Sequence, residues 1–400
     1  MENKKFRIAL FMLPLLTQGG GAEKYFIDLA RNLSEEGYQT DIVTMDENFF
    51  NKFARLLHIF ALGNFFGKID TSGREKEDTI KQQLGKALWI KTNFKNLGNM
   101  LKNYDIVYSK NEIVELVLLR LVSCKKLPPI VLGVHTPIYY PETKSFISKL
   151  HNFLYSGFFY KRISRGAKCV HVSNISAKKI VENKLKLRSE LIYYPFSVQQ
   201  AIYKCGIEFD RDKKNIIFAG RLGEQKGVDV LLNIIQKISK NEILADRIGI
   251  NIFGTGDKKC ETAIKTLAEK NSFVHFFGHI ENKFMPHVLS QQDLMVAPSK
   301  WETLPYSILE AQGMGLPVIA FDIPGPGDII EKDKTGFLVS TEDEFFEKLK
   351  DIVDGKISFD KNAIIRNIEK KFSPEKIHKE MINMFEKNIF TPLETGALED

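Results

Sequence analysis

The sequence predicts an α/β protein built on parallel sheets, on three observations. Short apolar runs of strand length alternate with helical patterns along most of the 400 residues. The stretch 294–321 shows this repeat most clearly, because strand 294–297 leads into a helix that ends at a glycine pair before strand 317–321. The length suggests two or three domains, and a hydrophobic fraction of 44% is that of a globular chain.

The first half of the chain predicts one parallel-sheet domain over residues 1–195. It opens with strand 6–13, a loop of three consecutive glycines that ends in Gly20 and Gly21, and helix 22–36. Glycines permit close backbone approach and a helix start offers free N–H groups, so this loop suits a phosphate or a sugar as well as a plain connection. The later elements are strands 39–45, 105–108, 130–134, 169–172 and 191–194, with helices 112–122 and 176–187.

Residues 47–102 give the weakest pattern in the chain. Five apolar side chains in this region fall at helical spacing: Phe49, Phe53, Leu56, Leu57 and Phe60. Such a stripe favours a helix packed on the sheet, and contact with a membrane is the alternative.

The second half predicts a second domain of the same kind over residues 196–373. Residues 195–214 are irregular and charged, which is typical of a linker. The elements that follow are strands 216–219, 249–253, 274–277, 294–297 and 317–321, with helices 228–240, 258–270 and 285–291. A last helix is predicted at 374–390, and the tail 391–400 is expected to be disordered because chain ends often are.

Charge is distributed unevenly between the two halves. Residues 1–195 carry 30 Lys+Arg and 18 Asp+Glu, a net charge of +12, and the remainder carries 27 and 32, a net charge of −5. The stretch 144–188 holds 11 Lys+Arg against Glu182 alone, interleaved with aromatic side chains from Phe146 to Tyr160. Because no nucleic-acid recognition motif is present, the predicted anionic partner is a membrane surface. The alternative is that the aromatic rings pack in the core and the lysines are solvated.

Cysteine usage and the N-terminus predict a compartment. The four cysteines, Cys124, Cys169, Cys205 and Cys260, are scattered without metal-ligand spacing, which indicates free thiols in a reducing environment. Residues 1–7 lead into a strand rather than a signal peptide, and no apolar run approaches the roughly 18 residues of a membrane span. We therefore expect a cytoplasmic protein, either soluble or peripheral on the inner face of the plasma membrane.

Two cations follow the first strand of the second domain. Arg221 and Lys226 lie in a loop that opens with Gly220 and precedes a helix. Two fixed positive charges suit a diphosphate, which gains negative charge as its bond to a sugar breaks. For either residue alone, a solvated turn would be the simpler interpretation.

Two carboxylates, Glu302 and Glu310, lie in the stretch 297–320. Glu302 is in the loop at the carboxyl end of a strand, where open α/β sheets bind ligands, and Glu310 is about two turns further along, in the helix that follows. Ionised carboxylates can hold adjacent hydroxyls of a ribose or a hexose. The interval of seven residues also separates Glu182 from Glu190, so the interpretation depends on position rather than on spacing.

Other predicted strand ends carry further candidates. His135 follows a strand and precedes a proline-bounded loop, where a ligand role and a structural role both remain open. Gly254 and Gly256 end another strand and can admit a nucleoside by backbone contact. His279 and Ile280 follow the next strand and are placed to meet the base. No group of residues has metal-ligand spacing.

Four blocks of the sequence resemble a known family. They are GGGAEK at 19–24, FAGRLGEQKGVD at 218–229, FGTGD at 253–257 and APSKWETLPYSILEAQGMGLPVIA at 297–320. In this order they resemble the retaining family-4 glycosyltransferases of GT-B fold, over most of the chain except 47–102. The resemblance implies two Rossmann-like, doubly wound parallel-sheet domains with a cleft between them and a C-terminal helix that crosses back to the first domain. It also implies that the first domain binds the acceptor and the second binds the nucleotide sugar.

The resemblance also implies a reaction: transfer of a hexose-type sugar from a nucleoside-diphosphate sugar to a glycan or lipid-linked acceptor, without a cofactor or metal. By resemblance, Arg221 and Lys226 stabilise the departing nucleoside diphosphate. Glu302 then holds sugar hydroxyls, Glu310 holds the ribose and His135 lies beside the donor sugar. Retention is commonly ascribed to front-face displacement in which the leaving phosphate takes the acceptor's proton, so no protein nucleophile is assigned.

One departure from the family pattern follows the first glutamate. Many relatives carry Gly-Phe-Gly-Leu there, whereas this chain has Thr303, Leu304, Pro305 and Tyr306. Thr303 and Leu304 stay among the predicted donor-binding residues. Pro305 has no N–H to offer a sugar.

Two other functions fit the same architecture. One is a nucleotide-sugar 2-epimerase, and the other is a nucleotide-sugar-binding protein without turnover. The four blocks favour a transferase of bacterial surface polysaccharide synthesis, and UDP-sugars are favoured over GDP-sugars only because they are more frequent donors.

Overall fold

The structure is a computed structural model that describes residues 5–13, 21–46, 49, 73–122, 127–139, 146–164 and 166–390. Some predicted features lie outside these residues: Gly20, most of the apolar stripe that begins at Phe49, and the tail 391–400.

The first sheet has seven parallel strands among the described residues. They are β1 Arg7–Phe11, β2 Gln39–Met45, β3 Leu88–Thr92, β4 Ile106–Lys110, β5 Ile130–Val134, β6 Ala167–Val172 and β7 Ser189–Leu191. The order across the sheet is β3-β2-β1-β4-β5-β6-β7. The helices of this part are α1 Gly21–Glu35, α2 Gly73–Gln83, α3 Phe94–Leu101, α4 Ile113–Val122, α5 Phe146–Ser156, α6 Phe158–Ser164 and α7 Ile175–Asn183.

The second sheet has six parallel strands in the described part of the chain. They are β8 Lys214–Ala219, β9 Ile248–Phe253, β10 Val274–Gly278, β11 Leu294–Ala297, β12 Val318–Phe321 and β13 Gly336–Val339. The order is β10-β9-β8-β11-β12-β13. Its helices are α8 Val228–Ser239, α9 Glu242–Asp246, α10 Lys258–Lys270, α11 Met285–Ser290, α12 Tyr306–Gly313, α13 Pro326–Ile329, α14 Glu342–Val353 and α15 Lys361–Phe372, and α16 Pro374–Phe390 ends the described chain.

Strand order reverses once in each sheet, between β1 and β4 and between β8 and β11. Open parallel sheets bind ligands at the carboxyl ends of the strands beside such a reversal. In the second sheet these ends are Ala219 and Ala297, which lead directly into the loops that carry Lys226 and Glu302. The topology therefore brings together the predicted diphosphate loop and the first predicted carboxylate.

The last helix joins the two sheets through a shared core. In α16, the ring of Phe385 lies 5.9 Å from that of Tyr108 in β4, and Met381 Sδ lies 3.7 Å from Tyr25 Oη in α1. One continuous cluster of buried residues includes these side chains together with Leu304 of the second domain. The predicted GT-B fold class, with its helix that crosses back to the first domain, is confirmed.

Several strands and helices of the structure were not predicted from the sequence, or were predicted with different bounds. β3 reads LWIKT and is only partly buried, as expected of an edge strand, so it lacks the continuous apolar run of the inner strands. The aromatic stretch 146–164 forms two short helices, α5 and α6. Strand β7 is Ser189–Leu191 rather than 191–194, and Tyr194 leaves the sheet to join the contact between the domains. No helix within the described ranges is long and apolar enough to cross a membrane.

Candidate active site

The loops after β8 and β11 are in contact with each other. Gly227 has a φ of +67°, and a Cβ at this position would lie 1.8 Å from the carbonyl oxygen of Pro298. The N–H of Lys300 donates to the carbonyl of Gln225 at 2.8 Å. Gly227 is therefore required for the approach of the two loops, because a side chain there would force them apart.

Lys226 and Glu302 meet at this contact. Lys226 Nζ lies 2.6 Å from Glu302 Oε1, and their side chains are 20% and 8% exposed. Arg221 is exposed, and its guanidinium donates to the side-chain oxygen of Gln225 at 3.1 Å. The two predicted cations thus differ: Lys226 is held by a carboxylate, whereas Arg221 projects towards solvent.

Glu310 is the second carboxylate, one helix turn after the start of α12. Its side chain is partly buried and has no hydrogen-bond or ion-pair partner among the described residues. Burial raises the pKa of Glu310, and the nearby cations Lys24 and Lys226 act in the opposite direction. A desolvated carboxylate without a donor is costly, so its position suits a ligand that supplies hydroxyl groups.

The first domain reaches the same place through α1 and the segment that follows β7. Lys24 Nζ lies 5.6 Å from the ring centre of Tyr306, at the start of α12. The Tyr306 ring stacks on that of Tyr194, with centroids 5.8 Å apart and planes 9° apart. Sequence reasoning missed all three side chains, although Lys24 closes the block GGGAEK and Tyr306 lies in the block 297–320.

His135 lies at the end of β5 in a chain of hydrogen bonds. Its Nε2 is 2.9 Å from Tyr108 Oη, and its Nδ1 is 3.0 Å from Tyr194 Oη. Tyr108 Oη is also 2.7 Å from His171 Nδ1, and His171 Nε2 is 2.8 Å from the Ile192 carbonyl oxygen.

The charge of the two imidazoles decides which atom donates in each of these hydrogen bonds. Burial lowers the pKa of His171 to about 4 and that of His135 well below its usual range, so both rings are neutral near pH 7. A neutral ring has one donor and one acceptor nitrogen. Because the Ile192 carbonyl only accepts, His171 donates from Nε2. Tyr108 then donates to His171 and accepts from His135, and Tyr194 donates to His135.

Both ring nitrogens of His135 are therefore used inside the first domain. A donor sugar can bind His135 only by displacing the hydroxyl of Tyr108 or Tyr194. The predicted sugar contact of His135 stays a prediction, and this geometry gives the histidine a second role in placing Tyr194 beneath Tyr306.

Two family models match the chain in succession. Residues 19–196 match the model described as Glycosyltransferase Family 4, and residues 213–354 match the model described as Glycosyl transferases group 1. The chain belongs to glycosyltransferase family 4.

Named relatives of this family-4 chain include two bacterial proteins. An uncharacterized 41.2 kDa protein in the cps region of Klebsiella pneumoniae is 29% identical over 231 residues, which cover 54% of this chain and 60% of that protein. The UDP-Gal:alpha-D-GlcNAc-diphosphoundecaprenol alpha-1,3-galactosyltransferase of Escherichia coli is 29% identical over 140 residues, which cover 34% of this chain and 36% of that protein. The matched regions thus span less than two thirds of both relatives.

The fold of this family-4 chain is also that of solved structures. The Anabaena protein Alr3699/HepE in complex with UDP superposes with a TM-score of 0.67 at 17% identity, covering 95% of this chain and 100% of that one. At this level of identity the likeness concerns the fold alone.

The glycines that follow the strands in this family-4 chain first serve the packing of its loops. A Cβ on Gly254, whose φ is +131°, would lie 1.8 Å from the Gly220 carbonyl oxygen, and one on Gly256 would lie 2.1 Å from that of Leu222. The N–H of Gly254 donates to the Gly278 carbonyl at 2.7 Å. The predicted nucleoside contact at these glycines stays a prediction.

The remaining candidates lie in different surroundings. His279 is exposed and Ile280 is half-buried, in the loop after β10. Leu304 is buried, and the Thr303 carbonyl accepts a hydrogen bond from the side chain of Asn174 in the first domain. Gly21 begins α1. In the described part of the chain, no three His, Cys, Asp or Glu side chains are grouped to hold a metal ion.

Proposed function

We propose that this chain transfers a hexose-type sugar from a UDP-sugar to a glycan or lipid-linked acceptor, with retention of anomeric configuration, in the synthesis of a surface polysaccharide. The observation that carries the proposal is Glu310. Its side chain is partly buried at the carboxyl edge of the second sheet and has no hydrogen-bond or ion-pair partner among the described residues, and Lys24 and Lys226 are the nearby cations. Ribose hydroxyls on this carboxylate would direct the diphosphate towards the two cations of the 220–227 loop.

The proposed step breaks the bond between the sugar C1 and the β-phosphate oxygen. Arg221 and Lys226 stabilise the charge that develops on the leaving diphosphate, and no metal is assigned to this task. The acceptor hydroxyl forms the new bond to C1 on the face that the phosphate leaves, and its proton passes to a phosphate oxygen. Glu302 holds hydroxyls of the sugar, and Lys226 binds both the Glu302 carboxylate and the diphosphate.

The names of relatives support the donor and acceptor classes. One relative uses UDP-Gal and a GlcNAc-diphosphoundecaprenol acceptor, and another is a poly(ribitol-phosphate) alpha-N-acetylglucosaminyltransferase of Staphylococcus aureus. Two others are named as O-antigen biosynthesis glycosyltransferases of Escherichia coli. We therefore propose a uridine nucleotide as donor and a diphosphate-linked lipid sugar as acceptor class.

The nucleotide assignment is tested by ligand-induced stabilisation. We expect UDP to raise the thermal midpoint and GDP to raise it much less, because a ligand at about 100 times its Kd adds about 2.7 kcal/mol to the free energy of unfolding. UMP serves as a control that lacks the second phosphate. A larger shift with GDP than with UDP would exclude the uridine assignment, and no shift with either would count against a nucleotide site.

The two alternatives share the site but differ in product. A nucleotide-sugar 2-epimerase would convert the donor into its epimer without an acceptor. A binding protein would show the thermal shift and return the donor unchanged. Chromatography of the recovered nucleotide sugar separates these outcomes, and we expect neither epimer nor unchanged donor once an acceptor is present.

We also propose that α5 and α6 dock the first domain on an anionic membrane. The structure divides the aromatic side chains of this stretch, since Tyr155 and Tyr160 are buried in the core whereas Phe153, Phe158 and Phe159 are 73%, 78% and 45% exposed. The exposed basic residues of the same two helices are Lys149, Lys161 and Arg162, and Arg165 lies outside the described residues. Exposed aromatic rings beside cations match the chemistry of an anionic lipid surface.

Co-sedimentation with liposomes tests the docking surface. We expect binding to vesicles that contain anionic lipid, and weaker binding at high salt, because each basic residue near the surface contributes about 1 kcal/mol. Lys149/Lys161/Arg162→Glu should release the protein. The matched control Lys240/Lys270/Lys370→Glu makes the same charge change on exposed residues of the second domain and should still bind. Equal binding to neutral and anionic vesicles would contradict the proposal.

A further inference from the structure

The start of helix α7, in the first domain, is hydrogen-bonded to two segments of the second. The Asn174 side-chain amide donates from Nδ2 to the carbonyl oxygen of Thr303 at 3.0 Å. The next backbone N–H, that of Ile175, donates to Asp328 Oδ1 at 2.9 Å. Asn174 and Asp328 are 4% and 5% exposed, so the two side chains that make these contacts are buried.

The orientation of the Asn174 amide is fixed by a second bond. Its Oδ1 accepts from the N–H of Ala177 at 2.7 Å and thereby caps α7. With the oxygen held by the cap, Nδ2 is the atom that faces Thr303. One side chain therefore performs two separable tasks, capping its own helix and holding a loop of the other domain.

Asp328 closes the same contact from the second domain. Its Oδ1 also accepts from Tyr193 Oη at 3.3 Å, and its Oδ2 accepts from the Gly325 N–H at 3.3 Å. The N–H of Ile175 is one of the free donors at a helix start, where a negative charge is favourable. A Cβ on Gly325 would lie 2.8 Å from the Thr303 carbonyl oxygen, so Gly325 lets this segment close over the carbonyl that Asn174 holds.

Thr303 directly follows Glu302, the carboxylate bonded to Lys226. A shift of the Thr303 carbonyl therefore moves the side chain that is to hold the donor sugar. We propose that Asn174, supported by Asp328, is a positioning residue that sets the 302–305 loop only when the two domains are closed. This inference rests on the proposed function for its catalytic consequence, but the contact between the domains does not.

The test separates the two tasks of Asn174. Asn174→Ser keeps a side chain that caps helices well but is too short to reach Thr303. Asn93→Ser is the matched control, because Asn93 caps α3 of the same domain by accepting from the Asn96 N–H and has no partner in the second domain among the described residues.

We expect Asn174→Ser to lower kcat by about 10- to 100-fold, the order of loss that follows a misplacement of about 1 Å at a reacting group. The Kd for UDP should change less than about twofold, because the loss concerns orientation rather than the groups that bind the nucleotide. Asn93→Ser should leave both values at the level of the unmodified protein. A purely structural role would instead change the thermal midpoint and leave kcat intact.

Small-angle X-ray scattering gives a readout that does not depend on activity. Asn174→Ser should increase the radius of gyration of the UDP-bound protein, and Asn93→Ser should not. An unchanged radius or an unchanged kcat in Asn174→Ser would overturn the inference. If the unmodified protein transfers no sugar but the variant still expands, the proposed function fails while the contact between the domains stands.

Discussion

Arg221→Ala is expected to lower the rate of sugar transfer by about 100- to 1,000-fold, the usual loss when one donor to a developing oxyanion is removed. Arg221 is exposed and bonds only the side chain of Gln225 among the described residues, so the fold should keep its thermal midpoint. The measurement is kcat for release of the nucleoside diphosphate. Transfer at the normal rate would remove Arg221 from the mechanism.

Lys226→Ala should cost at least as much activity, and it also affects stability. Lys226 is the partner of Glu302, whose side chain is 8% exposed, and removal of one partner leaves a buried charge unpaired. Lys300→Ala is the control, because Lys300 lies next to the same loops but pairs with Asp229. Lys300→Ala should retain its activity. If it loses as much activity as Lys226→Ala, the loss follows from removing any positive charge near these loops, not from removing a ligand of the diphosphate.

Glu310→Ala is expected to weaken UDP binding by about 10- to 100-fold, because a hydrogen bond to a charged group contributes about 1.5 to 3 kcal/mol. The partner is identified by varying the ligand as well as the protein. The unmodified protein should prefer UDP to 2′-deoxy-UDP, and Glu310→Ala should bind the two alike. Calorimetry measures both affinities.

The control for Glu310 is Glu347→Ala, an exposed glutamate on α14. It should bind UDP as the unmodified protein does. If Glu310→Ala keeps its full preference for UDP over the deoxy form, Glu310 does not hold the ribose. In that case the buried Glu310 carboxylate, whose pKa is raised, would bind another group of the ligand.

The inner strands could be predicted because buried strands have mainly apolar residues in the sequence. Strands β8 and β11 are parallel and covered on both faces, so they read as continuous apolar runs, IIFA and LMVA. The edge strand β3 lacks this signal, since its side chains from Leu88 to Lys91 are exposed or only half-buried. The last strand, β13, has only four residues and begins with Gly336, which left it unrecognised.

The residues of the candidate site also fall into two groups, those in local sequence patterns and those that only the fold brings together. Arg221, Lys226, Glu302 and Glu310 could be proposed from the sequence because each lies in a local pattern of strand, loop and helix, and their roles stay predictions. Lys24, Tyr194, Asn174 and Asp328 come from positions far apart in the chain, and only the closing of one domain on the other brings them to the cleft. The hydrogen bonds that occupy both nitrogens of His135 are equally invisible in the sequence, because their partners Tyr108 and Tyr194 lie 27 and 59 residues away along the chain.

The most direct measurement is the acceptor dependence of UDP release from a UDP-sugar labelled in the sugar. We expect a diphosphate-linked lipid sugar to increase the release, one label to reach the lipid for each UDP formed, and Arg221→Ala to lower both by about 100- to 1,000-fold. Release that is indifferent to every acceptor, or a donor that is recovered only as its epimer, would contradict the assignment of this chain as a sugar transferase.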